Sequence, residues 1–192
     1  MALTYLPASI ANAMVEAAYP SSAITHSVTA TNGTTTLTVS VSDSFSVQVG
    51  MGVTGAGITS GGLVTADNNG TGVITISGTI TTLTVSAYTF TQTLYASLHT
   101  ASPSTTGANE VTGGSYARQS LTAGAPSSGV KTSTNAQNWT SMPAVTVTHD
   151  GTWSATSSGT WYGGGALGSS LTVPLSATVS AAIGALTLTV AG

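Results

Sequence analysis

Apolar and hydroxylated side chains alternate one by one along most of this chain. Thr36-Leu-Thr-Val-Ser-Val-Ser42, Leu94-Tyr-Ala-Ser-Leu-His99, Ala144–His149 and Leu186-Thr-Leu-Thr-Val190 all repeat with a period of two. Extended backbone matches that period, because residues i and i+2 share one face of a strand. Turn formers punctuate the runs: Asn32-Gly33, Asp67-Asn-Asn-Gly70, Pro103, Gly113-Gly114, Pro126, Ser157-Ser-Gly159 and Gly163-Gly-Gly165. Short strands bounded by such signals imply an all-β fold, an antiparallel β-sandwich of jelly-roll or immunoglobulin-like type.

Residues 94–121 organise the rest. Leu94, Ala96 and Leu98 fall on one face of a half-buried strand, and Tyr95, Ser97 and His99 on the other. Pro103 stops the ladder, since it has no N–H to donate. Gly113-Gly114 permits a bend or bulge before Tyr116-Ala117-Arg118 resumes extended backbone. Glu110 and Arg118 are spaced to meet across a loop closure, as an ordering contact within the fold. An exposed pair of this kind contributes about 0–1 kcal/mol.

Composition narrows the function classes. Only 4% of the residues are charged, two basic and five acidic, for a net charge of −3. Ordinary soluble domains carry about 25%. Serine, threonine and glycine must then cover the surface, and a neutral surface rich in hydroxyls tends to associate. A mean hydropathy of +0.32 argues against a disordered chain. Arg118 and Lys131 are the only cations, too few for a nucleic-acid site. Cysteine is absent, which excludes disulfides and thiolate metal sites. No run of about 18 apolar residues exists, so no membrane span is expected. The N-terminus lacks a basic segment and carries Glu16, unlike a secretion signal.

Residues 8–19 are the one clear helix. Ile10, Ala13, Met14, Ala17 and Ala18 form an apolar stripe, Ser9 is placed to cap the start and Pro20 to end it. So short a helix must dock, on its own sandwich or on a neighbouring subunit. From 23 to 88 the texture changes to threonine–valine alternation with glycine-rich breaks. A hairpin around Asn32-Gly33, a strand at Phe45–Val49, a glycine-rich loop at Gly50–Gly62 and strands at Leu63–Ala66, Val73–Ser77 and Thr82–Val85 make a small β-domain. The chain thus divides into a helix-capped sandwich from 1–22 plus 89–192, and an inserted domain at 23–88. In the C-terminal part, strands are expected at Asn135–Thr140, Ala144–His149, Trp161-Tyr162, Leu171–Val173 and Leu186–Val190.

No catalytic, cofactor or metal constellation is legible. His26, His99 and His149 are isolated, with no His-x-His or His-Glu-x-x-His spacing. His149 and Asp150 are adjacent and would point to opposite faces of a strand. A fold that joined His99 to His149 would be needed to make a metal site. The five acids form no glycosidase pair, and the glycines at 50–62 lack the Lys-Ser/Thr of a phosphate loop. Tyr116, Trp139, Trp153, Trp161 and Tyr162 are candidate contact residues for sugar or protein, with filling of a threonine-rich core as the competing role.

Five pieces carry a resemblance: Leu94-Tyr-x-x-Leu-His-Thr-Ala-x-Pro103, Asn109-Glu-Val-x-Gly-Gly-x-Tyr-Ala-Arg-Gln119, Val145-Thr-Val-Thr-His-Asp-Gly-Thr-Trp-Ser-Ala155, Trp161-Tyr-Gly-Gly-Gly-Ala-Leu167 and Ala182–Val190. In this order they resemble small virion proteins of tailed bacteriophages, described as tail-fibre-like or head decoration proteins. The resemblance covers roughly residues 1–22 and 89–192; family members run almost directly from helix to Leu-Tyr strand. It implies a non-enzymatic structural protein, made in the host bacterial cytoplasm and placed on the virion surface. Its partners would be the major capsid protein or other virion proteins, and a homo-oligomer, with a trimer as the guess. A long fibre usually needs a shaft repeat, and none is present. The expected role is therefore a capsid decoration or head-spike protein. The alternative is a tail-fibre or tail-tip protein contacting host-surface glycans. A secreted adhesin or carbohydrate-binding module ranks behind both.

Overall fold

The computed structural model describes residues 7–19, 23–44, 47–58, 62–68, 70–82 and 84–189. The chain forms two compact units, Ser22–Thr93 and Met1–Ser21 with Leu94–Gly192. The division after Thr93 falls later than the expected start at 89. Strand pairing explains why: the last strand of the first-named unit runs Thr84–Thr91 and places Phe90 in that unit's core.

Unit Ser22–Thr93 is a closed antiparallel barrel. Its strands are β1 (Ile24–Ala30), β2 (Thr36–Thr38), β3 (Gly52–Thr54), β4 (Gly62–Asn68), β5 (Val73–Ile76) and β6 (Thr84–Thr91), in the order β1-β2-β5-β4-β3-β6, with β6 closing onto β1. Closure leaves no open sheet edge to guard, which suits a segment nearly devoid of charge. Val28, Leu37, Val53, Val64, Ile74, Ile76, Tyr88 and Phe90 fill the interior. The Asn32-Gly33 hairpin forms, with Ala30 opposite Leu37 and Gly33 at φ +78°. Three expectations change. The run Thr36–Ser42 stops as a strand at Thr38, because Ser40 Oγ accepts the N–H of Asp43 at 3.1 Å and starts a single helical turn, α2 (Val41–Ser44), numbered after the N-terminal helix. Val47–Val49 are not strand, and the rest of the expected strand at Phe45–Val49 lies outside the described residues. The glycine-rich segment 50–62, of which 59–61 lie outside the described residues, contains β3 and begins β4.

The other unit has a four-stranded antiparallel sheet in the order β12-β11-β7-β8. Here β7 is Leu94–His99, β8 Gln119–Leu121, β11 Val145–Trp153 and β12 Trp161–Val173. Two ribbons accompany it: β9 (Val130–Thr132) with β14 (Thr187–Thr189), and β10 (Gln137–Trp139) with β13 (Val179–Ala181). One apolar core runs through the unit, including Leu94, Ala96, Leu98, Val111, Leu121, Trp139, Met142, Val147, Val173 and Leu188. The all-β, antiparallel, sandwich-like class with one short N-terminal helix holds. The two strands expected at 161–162 and 171–173 are one, interrupted by a bulge: Val147 faces Leu171 while His149 faces Ala166. Strand β13 lacked a sequence signal, and Val190 lies outside the described residues.

Of the expected stripe of helix α1 (Ala8–Ala18), Ala18 packs against the core, but the most buried side chains come from outside the stripe. Val15 is 2% exposed and Tyr19 is buried, whereas Ile10 is 48% and Met14 42% exposed. Ala13 is exposed too, and the side chain of Ala17 lies outside the described residues. Polar contacts select the inward face. Asn12 Oδ1 accepts the N–H of Gly129 at 2.6 Å, and Glu16 pairs with Lys131 at 2.8 Å. The Lys131 ammonium is 0% exposed and also donates to the carbonyl of Tyr19. A buried ammonium is tolerable only when paired in this way, so burying Lys131 dictates the rotation of the helix. Pro7, not Ser9, occupies the N-cap, without a side-chain capping bond; Pro20 lies outside the described residues.

Candidate functional site

Strand β7 is buried on both faces, not half-buried. Leu94, Ala96 and Leu98 meet the apolar core, while Ser97 and His99 are buried on the other face. Burial of those polar groups is affordable because each is bonded. The Trp153 indole N–H donates to Ser97 Oγ at 3.1 Å. His99 Nδ1 lies 2.7 Å from the Ala108 carbonyl, which can only accept, so Nδ1 carries the proton. Nε2 is then the acceptor for the Ser97 hydroxyl at 2.8 Å. Burial holds the His99 pKa below its ordinary value, against the opposing pull of the Ala108 bond and Glu110. Trp161 packs edge-on to His99 at 5.4 Å and to Trp153 at 5.0 Å. Room for that indole comes from Gly151, where a Cβ would come within 2.3 Å of the Trp161 ring.

A serine bonded to a histidine suggests a nucleophile and its base, but here both are sealed and both imidazole nitrogens are committed. The orienting group is a backbone carbonyl, without the carboxylate of a triad. His149 stands opposite His99 in the β7–β11 ladder. Its Nδ1 is bonded to Thr148 Oγ1 at 2.8 Å. Among the described residues no group of three or more metal-ligating side chains occurs.

Glu110 and Arg118 meet in the same region. After β7 the chain loops and returns, so that Glu110 bridges His99 and the Val111 N–H reaches the Leu98 carbonyl at 2.9 Å. Arg118 grips Glu110 with two bonds, Nε to Oε1 at 2.9 Å and one terminal nitrogen to Oε2 at 2.7 Å. Its other terminal nitrogen donates to the carbonyls of Ala155 at 2.9 Å and Ser158 at 2.6 Å. The guanidinium carbon lies 3.7 Å from the centroid of the Trp153 ring. Tyr116 donates to Glu110 Oε1 at 3.1 Å and accepts the Leu98 N–H at 2.9 Å. Burial, then the neighbouring carboxylate, pushes the Tyr116 phenol well above its usual range.

The five aromatics therefore have mostly interior positions. Trp139 and Trp153 are buried, and Tyr116, Trp161 and Tyr162 are half-buried. Of these, Tyr162 borders a cleft of about 510 Å³. The walls include Tyr19 at the end of α1, Asp150 on β11, Gly163–Ala166 on β12, and Leu186–Thr189 around β14. Tyr19 and Tyr162 meet edge to face at 5.9 Å. Asp150 Oδ1 accepts the N–H of Gly165 at 3.2 Å. Burial raises the Asp150 carboxyl pKa, while that backbone bond pulls the other way. Sequence reasoning missed Tyr19, Asp150 and Lys131 as site or docking residues. The one local signal was a carboxylate followed, after a turn, by three successive glycines.

These observations define the class: a two-unit antiparallel β-protein whose only two cations are used up internally. A family model described as Podophage GP4 fiber I protein gp80 matches residues 80–189. The chain belongs to that family of phage fibre proteins, which makes it a virion structural protein with virion-protein partners. No curated protein matches it. The matched residues begin within the barrel unit and leave out α1. No helix among the described residues is long and apolar enough to cross a membrane.

Proposed function

We propose that this chain is a non-enzymatic component of a phage fibre, built into the particle by contact with other virion proteins. The observation that carries this reading is the family match, which spans every strand from β6 to β14. The missing shaft repeat had favoured a compact head-surface decoration role; the family's description as a fibre protein shifts the preference to the fibre. The unit containing residues 94–192 is proposed as the attachment part and the barrel as the projecting elaboration. A non-catalytic role is supported by the Ser97–His99 pair, the nearest approach to a catalytic dyad among the described residues, being buried with both ring nitrogens engaged. Both cations being internal leaves a hydroxyl-rich exterior that suits assembly, including a homo-oligomer.

The test is immunogold labelling of purified particles with antibodies against the barrel unit. Gold confined to fibres is the expected result. Gold spread over the head shell would restore the decoration role, and particles without gold would overturn both.

A further inference from the structure

The cleft beside the end of α1 is walled by strand edges. Residues 163–166 of β12 line it, and so do residues 186–189 in and beside β14. Successive residues of a strand point to alternate faces, so a space that touches four in a row runs along the backbone edge. Both edges are open: among the described residues β12 pairs only with β11, and β14 only with β9. An open edge presents backbone N–H and C=O groups to a further strand, and proteins commonly guard it with charges or proline. Trp161–Val173 contains neither. Residues 163–166 keep an unbroken register with residues 149–152, between the two irregularities of the β11–β12 ladder. Gly165 adds an independent observation. A Cβ there would meet only Asp150 Oδ1, at 3.8 Å, and its backbone is not left-handed, so the fold itself does not require a glycine. Glycine within a strand often marks the close approach of another backbone.

We propose that this cleft is a slot for an extended segment of another virion protein, which pairs its backbone with the open edges and so extends the sheet. Main-chain bonds supply affinity in such strand addition, and pockets for alternate side chains supply specificity. A run of residues 163–166 at about 3.3 Å per residue offers about 13 Å of edge, enough to pair a short strand. Tyr19, Leu121, Tyr162 and Leu188 add apolar surface to the lining, so the segment carries an apolar side chain at every second position. It carries no acid there, because Asp150 is the one charge in the lining and both cations are spent elsewhere. A second copy of this chain is a poorer occupant. Each described strand is already paired within its own sheet, and a slot walled on two sides admits a single strand, not the edge of another folded sheet. The proposal rests on the reading of this chain as a virion component. Immunogold labelling tests that reading separately, and an empty slot would leave it standing.

The experiment applies the full chain to an array of short overlapping peptides that tile the structural proteins of the same particle, this chain included. Expected is binding to one or more peptides from another virion protein. Two changes then test the mode of binding. Gly165→Val puts a branched side chain into the slot, and resynthesis of the bound peptide with alternate backbone amides N-methylated removes its donors. Affinity should fall at least tenfold in Gly165→Val and on methylation of at least one alternate set. An unchanged urea midpoint separates the first loss from unfolding. Should that midpoint shift, the methylated peptides on the unaltered chain decide alone. No binding anywhere on the array, binding only to peptides of this chain, or affinity indifferent to methylation of both sets would overturn the proposal.

Discussion

Removal of Arg118 should cost far more than loss of a surface ion pair. Its side chain is 8% exposed and that of Glu110 is 20% exposed, so Arg118→Ala leaves a carboxylate largely out of water with only the Tyr116 hydroxyl as a donor from the network. It also frees the Ala155 and Ser158 carbonyls and uncovers Trp153. Breaking a buried pair by removing one partner costs about 3–5 kcal/mol. The remaining exposure of Glu110 and the Tyr116 bond put Arg118→Ala near the low end, about 3 kcal/mol. Glu110→Ala leaves Arg118 its two carbonyls and the indole, at about 2–3 kcal/mol. In the double variant each removal spares part of the other's cost, giving a coupling of about 2 kcal/mol. The assay is urea unfolding followed by tryptophan fluorescence. All three tryptophans, 139, 153 and 161, lie in the unit that contains Arg118, so the signal reports that unit alone. With a slope of about 1.5 kcal/mol/M, Arg118→Ala should lower the midpoint by about 2 M. A coupling below about 0.5 kcal/mol would refute the reasoning, because that is the worth of a solvent-exposed pair.

Two further outcomes are expected. His99 is buried as a neutral base with its pKa held below 6.5, so the unfolded chain binds the extra proton first. Stability should be complete above about pH 6.5 and be lost as pH falls from there through the folded pKa. Urea midpoints between pH 7.5 and pH 5 should show this slope; an equal slope in His99→Gln would assign it to other groups. Replacing residues 22–93 by a short Gly-Ser join should leave the tryptophan-bearing unit with a cooperative melt, as proposed for an inserted domain. A broad, non-cooperative transition of that shortened chain would argue that the barrel is needed for folding.

The alternation of Leu94–His99 was legible because a strand writes its two faces into every second residue. The partners of its second face were not: the loop carrying Ala108 and the indole of Trp153, 9 and 56 residues away, are what make Ser97 and His99 buriable. Glu110 and Arg118 were foreseeable as a pair from their spacing, but the cover that raises their worth comes from residues 153–158. Helix α1 was misread for a related reason. Ile10 and Met14 form the more apolar stripe, yet the rotation follows Glu16 and Asn12, whose partners Lys131 and Gly129 lie far along the chain.

The amino-acid order by itself determined the antiparallel β class, the short helix, the change of texture after residue 23 and the exclusion of thiolate and phosphate-loop chemistry. These depend on backbone geometry and composition, which are local. Tertiary structure alone decided which faces are buried, where the two cations are spent, and that Asp150, Tyr162 and Gly165 share one cleft. Those are contacts between distant segments, and the free energy that fixes them belongs to pairs that no short window of residues contains.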